Sequence, residues 1–228
     1  MSDNKGELEK LKEMDFTEKR QYIWEYYKLH IFGILIFGFL LFQLLNIWIF
    51  NPPQRDYIYF AWMGHFVAQH TLDTFAEELD VIVENKNRYA VRATNFNLEG
   101  IDPQLVTIMQ TRFFAQMQAR MMDVFMLTKV ELHDLSEERL VMPIKQFFEM
   151  AGSINPVLKE AMMERLVELT YYPEGHDEPV TDYMAIDLSG VAFFEQFGIQ
   201  TDDLFFAAVI NAQRFERVAR ALEVIFDV

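Results

Sequence analysis

The side chains that most often do acid–base or metal chemistry are scattered through this sequence. Four histidines follow residue 50: His65, His70, His133 and His176. His65 and His70 lie five residues apart across a predicted junction of loop and helix, which is poor spacing for a shared metal ion. His176 lies in an acidic loop, which fits either a solvated loop or adventitious binding of a divalent cation.

No catalytic motif accompanies these histidines. The chain has no G-x-S-x-G elbow, no P-loop and no H-E-x-x-H pair. Its clustered methionines are Met109, Met117, Met121, Met122, Met162 and Met163. They fit copper(I) binding or the filling of a core, and their helical spacing favours the core. We expect no enzymatic activity, no catalytic residue, no bound metal and no cofactor.

Residues 29–50 are 22 consecutive positions without a formal charge. A helix of that length is roughly 33 Å long, enough to cross a hydrocarbon core of about 30 Å. The 20 residues before it carry five Lys and Arg, and the 20 after it carry only Arg55. The positive-inside rule therefore predicts a single-pass anchor, with the N-terminus cytoplasmic and the C-terminal domain extracellular. An external domain without cysteine points to a bacterial cell membrane. A cleaved signal peptide or a buried core helix is the alternative, and the length and composition of the run disfavour both.

The segments around the predicted span are short. Residues 1–28 predict a cytoplasmic amphipathic lead-in or a docking helix, with Asp15 and Glu18 spaced as a capping box. Residues 51–55 are a proline-containing linker. The candidate helix contacts inside the span are Gly33, Gly38, Gln43 and Asn46. Gln43 and Asn46 share a helix face, which predicts a membrane-protein partner or self-association unless both amides reach the outer interface.

The composition after residue 50 limits the possible partners. This segment carries 14 Lys and Arg against 28 Asp and Glu. Such a surface repels nucleic acid and anionic lipid headgroups, and is compatible with cationic ligands or a basic protein face. The chain has no cysteine, so its external domain is not held by disulfides.

Residues 56–228 predict an α/β domain. Residues 56–63 are almost entirely apolar, as in a strand buried on both faces. Thr71 then caps a predicted helix, residues 89–96 form a second strand, and Asp102 with Pro103 begins a helix that runs to about Met122. A third strand at residues 123–127 completes a β-α-β-α-β order, which is typical of a doubly wound, mostly parallel sheet.

The pattern is looser in the remaining residues. It predicts short helices near 135–140 and 144–150, a helix at about 155–169, and a loop at 171–180. A strand at 184–188, a short helix at 191–197, a strand at 204–210 and a final amphipathic helix at 214–226 follow.

Two segments resemble bacterial extracellular solute-binding proteins of the type II class. Residues 118–127 (QARMMDVFML) are similar to a helix-then-strand segment of that class, and residues 207–222 (AAVINAQRFERVARAL) to its crossing strand and following helix. Residues 22–30 (YIWEYYKLH) resemble small membrane-anchored proteins of Firmicutes. The resemblance implies one lobe of a solute-binding protein with a reduced second lobe. The cysteine that commonly attaches such proteins to the membrane is missing here.

In an open α/β sheet, ligands bind beyond the carboxyl ends of the strands. The candidate rim residues at those positions are Trp62, His65, Asn95, Asn97, Thr128 and Ser189. They fit a site for a sugar, a peptide or a cationic solute, or alternatively a buried Trp62 surrounded by ordinary helix caps. Two alternative functions follow. The first is a tethered binding or interaction module, for example an accessory of a transporter or envelope complex. The second is a structural accessory subunit that binds no small molecule.

Overall fold

The computed structural model describes residues 15–50, 53–96, 102–175 and 177–228. The chain divides into two compact units, Met1–Pro53 and Gln54–Val228. The first half of the predicted lead-in, together with Asn97 and His176, lies outside the described residues.

The first unit contains one long helix, α1 (Phe16–Leu45), which continues as a π-helical turn at Asn46–Phe50. The predicted capping box is confirmed, because the Asp15 backbone N–H donates to Glu18 Oε2 at 3.2 Å. The stretch Tyr27–Ile49 is long and apolar enough to cross a membrane, and none of it is buried within the protein. Its length and composition fit a membrane anchor or a signal sequence.

The second unit alternates strands and helices. Its first half contains β1 (Arg55–Trp62), α2 (Gln69–Leu79), β2 (Tyr89–Asn95), α3 (Pro103–Gln118) and β3 (Val124–Leu127). Its second half contains α4 (Lys129–Glu137), β4 (Val141–Met142), α5 (Ile144–Met150), α6 (Pro156–Met163), β5 (Leu166–Tyr171), β6 (Val180–Asp187), β7 (Phe205–Val209) and α7 (Phe215–Phe226). Two 3₁₀ turns, Asp80–Ile82 and Ala192–Phe197, follow α2 and β6.

The seven strands form one mixed sheet in the order β2-β1-β3-β7-β6-β5, with β4 also paired to β7. β1 is parallel to both β2 and β3, whereas every pair beyond β3 is antiparallel. Five of the seven strands nevertheless run in the same direction, because only β5 and β7 are reversed. The prediction of a mostly parallel sheet is confirmed in this sense, and the parallel pairing itself is restricted to the first three strands.

Helices cover both faces of the sheet. Alternate side chains of β1 point to opposite faces, as the period of a strand requires. Phe60 packs edge-on against Phe75 of α2, at 5.4 Å between ring centroids. Tyr59 points the other way, and its hydroxyl donates to Gln116 of α3 at 2.8 Å. β1 is therefore the buried centre that was predicted, with residues 58–62 almost inaccessible to solvent.

The β2 edge of the sheet is closed by side chains from the α2 side. Asp80 Oδ1 accepts the outward backbone N–H of Val91 at 2.7 Å. Gln69 Nε2 donates to the carbonyl of Ala93 at 3.0 Å. Because these backbone groups are already bonded, β2 does not offer a free edge for pairing with another chain.

Four predicted helices have wrong boundaries. The helix predicted near 135–140 is α4, which begins at Lys129 and ends at Glu137. The helix after β1 begins at Gln69 rather than at a Thr71 cap, because the extended Ala68 ends the preceding loop. The helix predicted to reach about Met122 ends at Gln118, and the left-handed Arg120 (φ 54°) follows it. The helix predicted to reach about Leu169 ends at Met163. The residues after it form β5 because they pair with β6, a non-local contact that local helix signals do not report.

A buried ion pair explains the early end of α3. Asp123 is inaccessible to solvent, and its two oxygens accept from Arg214 Nε and Nη2, each at 2.9 Å. Asp123 Oδ2 also accepts from the Tyr59 backbone N–H at 2.9 Å, and Arg214 Nη1 donates to the Asp56 carbonyl at 2.9 Å. The carbonyl of Met121 accepts from Arg214 as well. This network holds the segment before β3 against β1 and cannot form if that segment is helical.

Replacing Arg214 with Met is expected to destabilise the second unit by about 3–5 kcal/mol, because it leaves a buried carboxylate without its cation. The free energy of unfolding is measurable by pulse proteolysis of the full-length chain in detergent across a urea gradient. The matched control is Arg220→Met, which breaks an exposed pair with Glu84 at 3.4 Å and should change the stability little, because solvent screens such a pair. Equal losses for the two variants would contradict the assigned role of Arg214.

The loss should also depend on pH. Burial raises the pKa of the Asp123 carboxyl, while Arg214 opposes that rise, so removing Arg214 raises the pKa further. A carboxyl whose pKa is higher in the folded than in the unfolded protein favours folding when it is protonated. Its contribution to stability is complete below the unfolded pKa of about 3.9 and is lost as the pH rises through the folded pKa. The deficit of Arg214→Met relative to wild type should therefore be larger at about pH 8 than at about pH 5. A deficit that is constant or grows towards low pH would refute this.

Candidate functional site

The structure places the described rim residues at the carboxyl ends of β1, β2, β3 and β6, where the sequence predicted them. Trp62 is the last residue of β1 and only 1% exposed. Its ring packs against Phe75 of α2 and Phe194 of the second 3₁₀ turn, at 6.0 and 6.4 Å between centroids. The indole of Trp62 is therefore part of the core and is not an open platform for a ligand.

The polar groups of the rim bond to the protein itself. The Trp62 indole N–H donates to the carbonyl of His65 at 3.1 Å, and His65 Nε2 donates to the carbonyl of Asp202 at 3.0 Å. Asn95 Nδ2 donates to the carbonyl of Val67 at 2.7 Å. Thr128 is the N-cap of α4, and Ser189 Oγ donates to the carbonyl of Thr201 at 3.3 Å. These contacts fix the loops after the strands.

A cavity opens on the other face of the sheet from the Trp62 ring. Its volume is about 240 Å³, and its floor is formed by Met63 and Phe96, the residues directly after β1 and β2. Apolar walls come from Met109, Phe113, Phe114 and Leu135 of α3 and α4. Phe113 is held in place by Phe96 and Phe125, at 5.7 and 5.9 Å between centroids.

Three carboxylates border this apolar cavity. Glu131, Asp134 and Glu138 follow one face of α4 and its C-cap, and Gln110 of α3 adds an amide. Glu131 Oε2 accepts the Thr128 backbone N–H at 3.0 Å. Within the part of the chain that the structure describes, neither Asp134 nor Glu138 has a cationic side chain within ion-pair distance. An apolar space with a negative rim is suited to a group that carries one positive charge on a hydrophobic body.

The sequence reasoning missed this cavity because it ranked residues by their polarity at the strand ends. Met63 and Phe96 are each one residue beyond the predicted Trp62 and Asn95. The available signal was the i, i+3, i+7 spacing of Glu131, Asp134 and Glu138, which places three like charges on one helical face.

Three of the four candidate contacts in the first unit, Gly33, Gly38 and Gln43, are exposed. A methyl group added at Gly33 or Gly38 would meet no atom within 4 Å. Gln43 is exposed and Asn46 half-buried, at the junction of α1 and its π-helical turn. Their role in contacts between membrane helices stays a prediction.

No group of three or more His, Asp or Glu side chains is arranged to hold a metal ion among the described residues. Comparison with known proteins finds no matching family model, no significantly similar curated protein and no significantly similar solved structure. The resemblance to type II solute-binding proteins therefore stays a prediction.

Gly64 lets the chain after β1 lie directly against the end of β3 beside the cavity. A Cβ there would be 3.0 Å from the Thr128 backbone nitrogen and 3.2 Å from the Leu127 carbonyl carbon. Gly64→Ala should destabilise the second unit by about 1–3 kcal/mol, because backbone atoms cannot move aside as a side chain does. Urea unfolding of the full-length chain measures this. A variant as stable as wild type would show that the contact is not close.

Proposed function

We propose that this chain is a single-pass membrane protein, with a cytoplasmic N-terminus, whose residues 54–228 form an extracytoplasmic binding or interaction module. The observation that carries the proposal is an exposed helix, uncharged from residue 29 onward, joined by a short linker to a separately compact α/β unit. The antiparallel β7 beside β3 supports the likeness to a solute-binding lobe, because residues 207–222 were likened to a crossing strand and the helix after it.

The cavity between α3 and α4 is the binding site in this proposal, and its ligand is a cationic group on an apolar body. A cavity of about 150 Å³ accommodates benzene, so 240 Å³ holds one ring with a short aminoalkyl chain. A Lys or Arg side chain of a partner protein has a similar size and charge. Its ammonium or guanidinium would lie at the carboxylates, and its carbon chain would pack against Phe113 and Phe114.

A small-molecule probe tests this site. We expect 2-phenylethylamine to raise the melting temperature of the full-length chain in nanodiscs, because a ligand at 100 times its dissociation constant adds about 2.7 kcal/mol. The neutral 2-phenylethanol and the anionic 3-phenylpropionate are matched probes that should have little effect. The shift should disappear in an Asp134→Asn, Glu138→Gln variant and persist in Glu149→Gln. Equal shifts with the amine and the alcohol would contradict a charge-selective site.

The second candidate function is a structural accessory subunit without a small-molecule ligand. The burial of Trp62 under Phe75 and Phe194 favours it, because the rim predicted for a ligand is filled by the protein's own side chains. The absence of any melting shift with all three probes would favour this alternative.

The predicted orientation is testable because the chain contains no cysteine. In intact cells, a membrane-impermeant maleimide should label an Asp202→Cys variant and leave a Ser2→Cys variant unlabelled until the membrane is permeabilised. If only the Ser2→Cys variant is labelled in intact cells, the orientation is the reverse of the one proposed. Labelling of neither variant before permeabilisation would place the domain inside the cell.

A further inference from the structure

The basic residues of the acidic second unit are unevenly distributed. Six of its 14 Lys and Arg lie at the amino ends of β1 and β2 and in the segments packed there: Arg55, Lys86, Arg88, Arg120, Arg217 and Arg220. We call these six residues the strand-start surface. The net negative charge of the whole unit predicted repulsion from anionic headgroups. This end of the unit is instead rich in basic residues.

Hydrogen bonds and ring contacts bring these residues together from distant parts of the chain. The Arg55 backbone N–H donates to the carbonyl of Arg88 at 2.7 Å, and Gln54 Nε2 donates to the carbonyl of Lys86 at 2.6 Å. The Arg217 guanidinium lies 4.5 Å from the centre of the Tyr57 ring and 5.4 Å from that of Tyr89. Arg120 precedes Met121, whose carbonyl accepts from Arg214.

Four carboxylates at this end are engaged within the domain. Asp56 pairs with Arg92 at 2.6 Å, Glu84 with Arg220 at 3.4 Å, and the buried Asp123 with Arg214. Asp80 accepts the backbone N–H of Val91. Over the described residues, Arg55, Lys86, Arg88 and Arg120 have no carboxylate within ion-pair distance and are exposed. Their charge is therefore available to an external anion.

Few residues separate the strand-start surface from the apolar stretch along the chain. Arg55 begins β1, and Gln54 is five peptide links from Ile49, the last residue of the apolar stretch. Five links span at most roughly 18 Å. If α1 crosses a bilayer, as proposed above, the strand-start surface is therefore within reach of the headgroups of the leaflet where the helix ends.

We propose that the strand-start surface docks onto anionic phospholipid headgroups of the membrane that holds α1. The inference rests on the proposed membrane anchor and deepens it, because it states which end of the domain faces the bilayer. The opposite end, which carries Glu131, Asp134, Glu195, Asp202 and Asp203, then faces away from the membrane.

The test uses the full-length chain in vesicles of phosphatidylcholine alone or mixed with phosphatidylglycerol. A fluorophore on an Asn87→Cys variant reports on the exposed turn beside Lys86, and one on Glu195→Cys reports on the opposite end. A nitroxide on lipid headgroups quenches a fluorophore that lies close to the bilayer. We expect strong quenching at position 87 only with phosphatidylglycerol, its loss at high salt, and weak quenching at position 195 in both vesicles.

Two triple variants that each remove three positive charges, one on the strand-start surface and one elsewhere, provide a matched comparison. Each cation near an anionic surface strengthens binding about fivefold, so Arg55→Gln, Lys86→Gln and Arg88→Gln together should lower the ratio of docked to undocked protein about a hundredfold. Lys129→Gln, Lys145→Gln and Lys159→Gln change the net charge equally and should have little effect. Equal losses in both triple variants would overturn the docking surface, as would equal quenching in the two lipid compositions.

Flotation separates this proposal from the anchor. A chain that floats with both kinds of vesicle after alkaline extraction, yet shows equal quenching in both, overturns the docking surface alone. A chain that does not float with phosphatidylcholine vesicles overturns the membrane anchor and the docking surface with it.

Discussion

The arrangement of the second unit depends on the buried pair between Asp123 and Arg214. Burying the charge of the Asp123 carboxylate costs free energy. Two hydrogen bonds from the Arg214 guanidinium and one from the Tyr59 backbone N–H offset that cost. Arg214 precedes α7 and reaches β1 and the segment before β3. A C-terminal residue thereby joins the antiparallel half of the sheet to the parallel half.

The two ends of the sheet have opposite chemical character. The carboxyl ends of β1 and β2 lead to an apolar cavity bordered by carboxylates, and the amino ends lead to exposed arginines and a lysine. This segregation matters more for partners than the net charge of the chain, because interactions between exposed charges are screened beyond about 10 Å. A cationic ligand and an anionic membrane surface can therefore be recognised by the same acidic protein.

Local sequence signals predicted the elements whose stability is local. The apolar run of α1, the Asp15–Glu18 cap and the β1, β2 and β3 strands are confirmed within a few residues. The sequence did not predict β5, because its residues became a strand only through pairing with β6. It also did not predict the position of β7 between β3 and β6. That placement depends on contacts between residues about 80 positions apart in the chain.

The cavity lies at the end of the sheet where the sequence predicted a site, and its lining contains none of the described rim residues. Trp62 was chosen for its aromatic ring, and the alternation of β1 turns that ring into the core beside Phe75. Only the three-dimensional packing of α3 against α4 shows that Phe113 and Asp134 border one space. Sequence patterns predict which end of a sheet carries a site. The residues that line a cavity there depend on which helices pack against each other, and this is not visible in the sequence.

Hydrogen–deuterium exchange of the full-length chain in anionic nanodiscs, with and without 2-phenylethylamine, tests the account most directly. The account predicts slower exchange on ligand addition in peptides of α3 and α4, and unchanged exchange in the segment around residues 84–92. Slowing that is absent from α3 and α4, or that is spread evenly over the domain, would contradict a binding site at the end of the sheet opposite the strand-start surface.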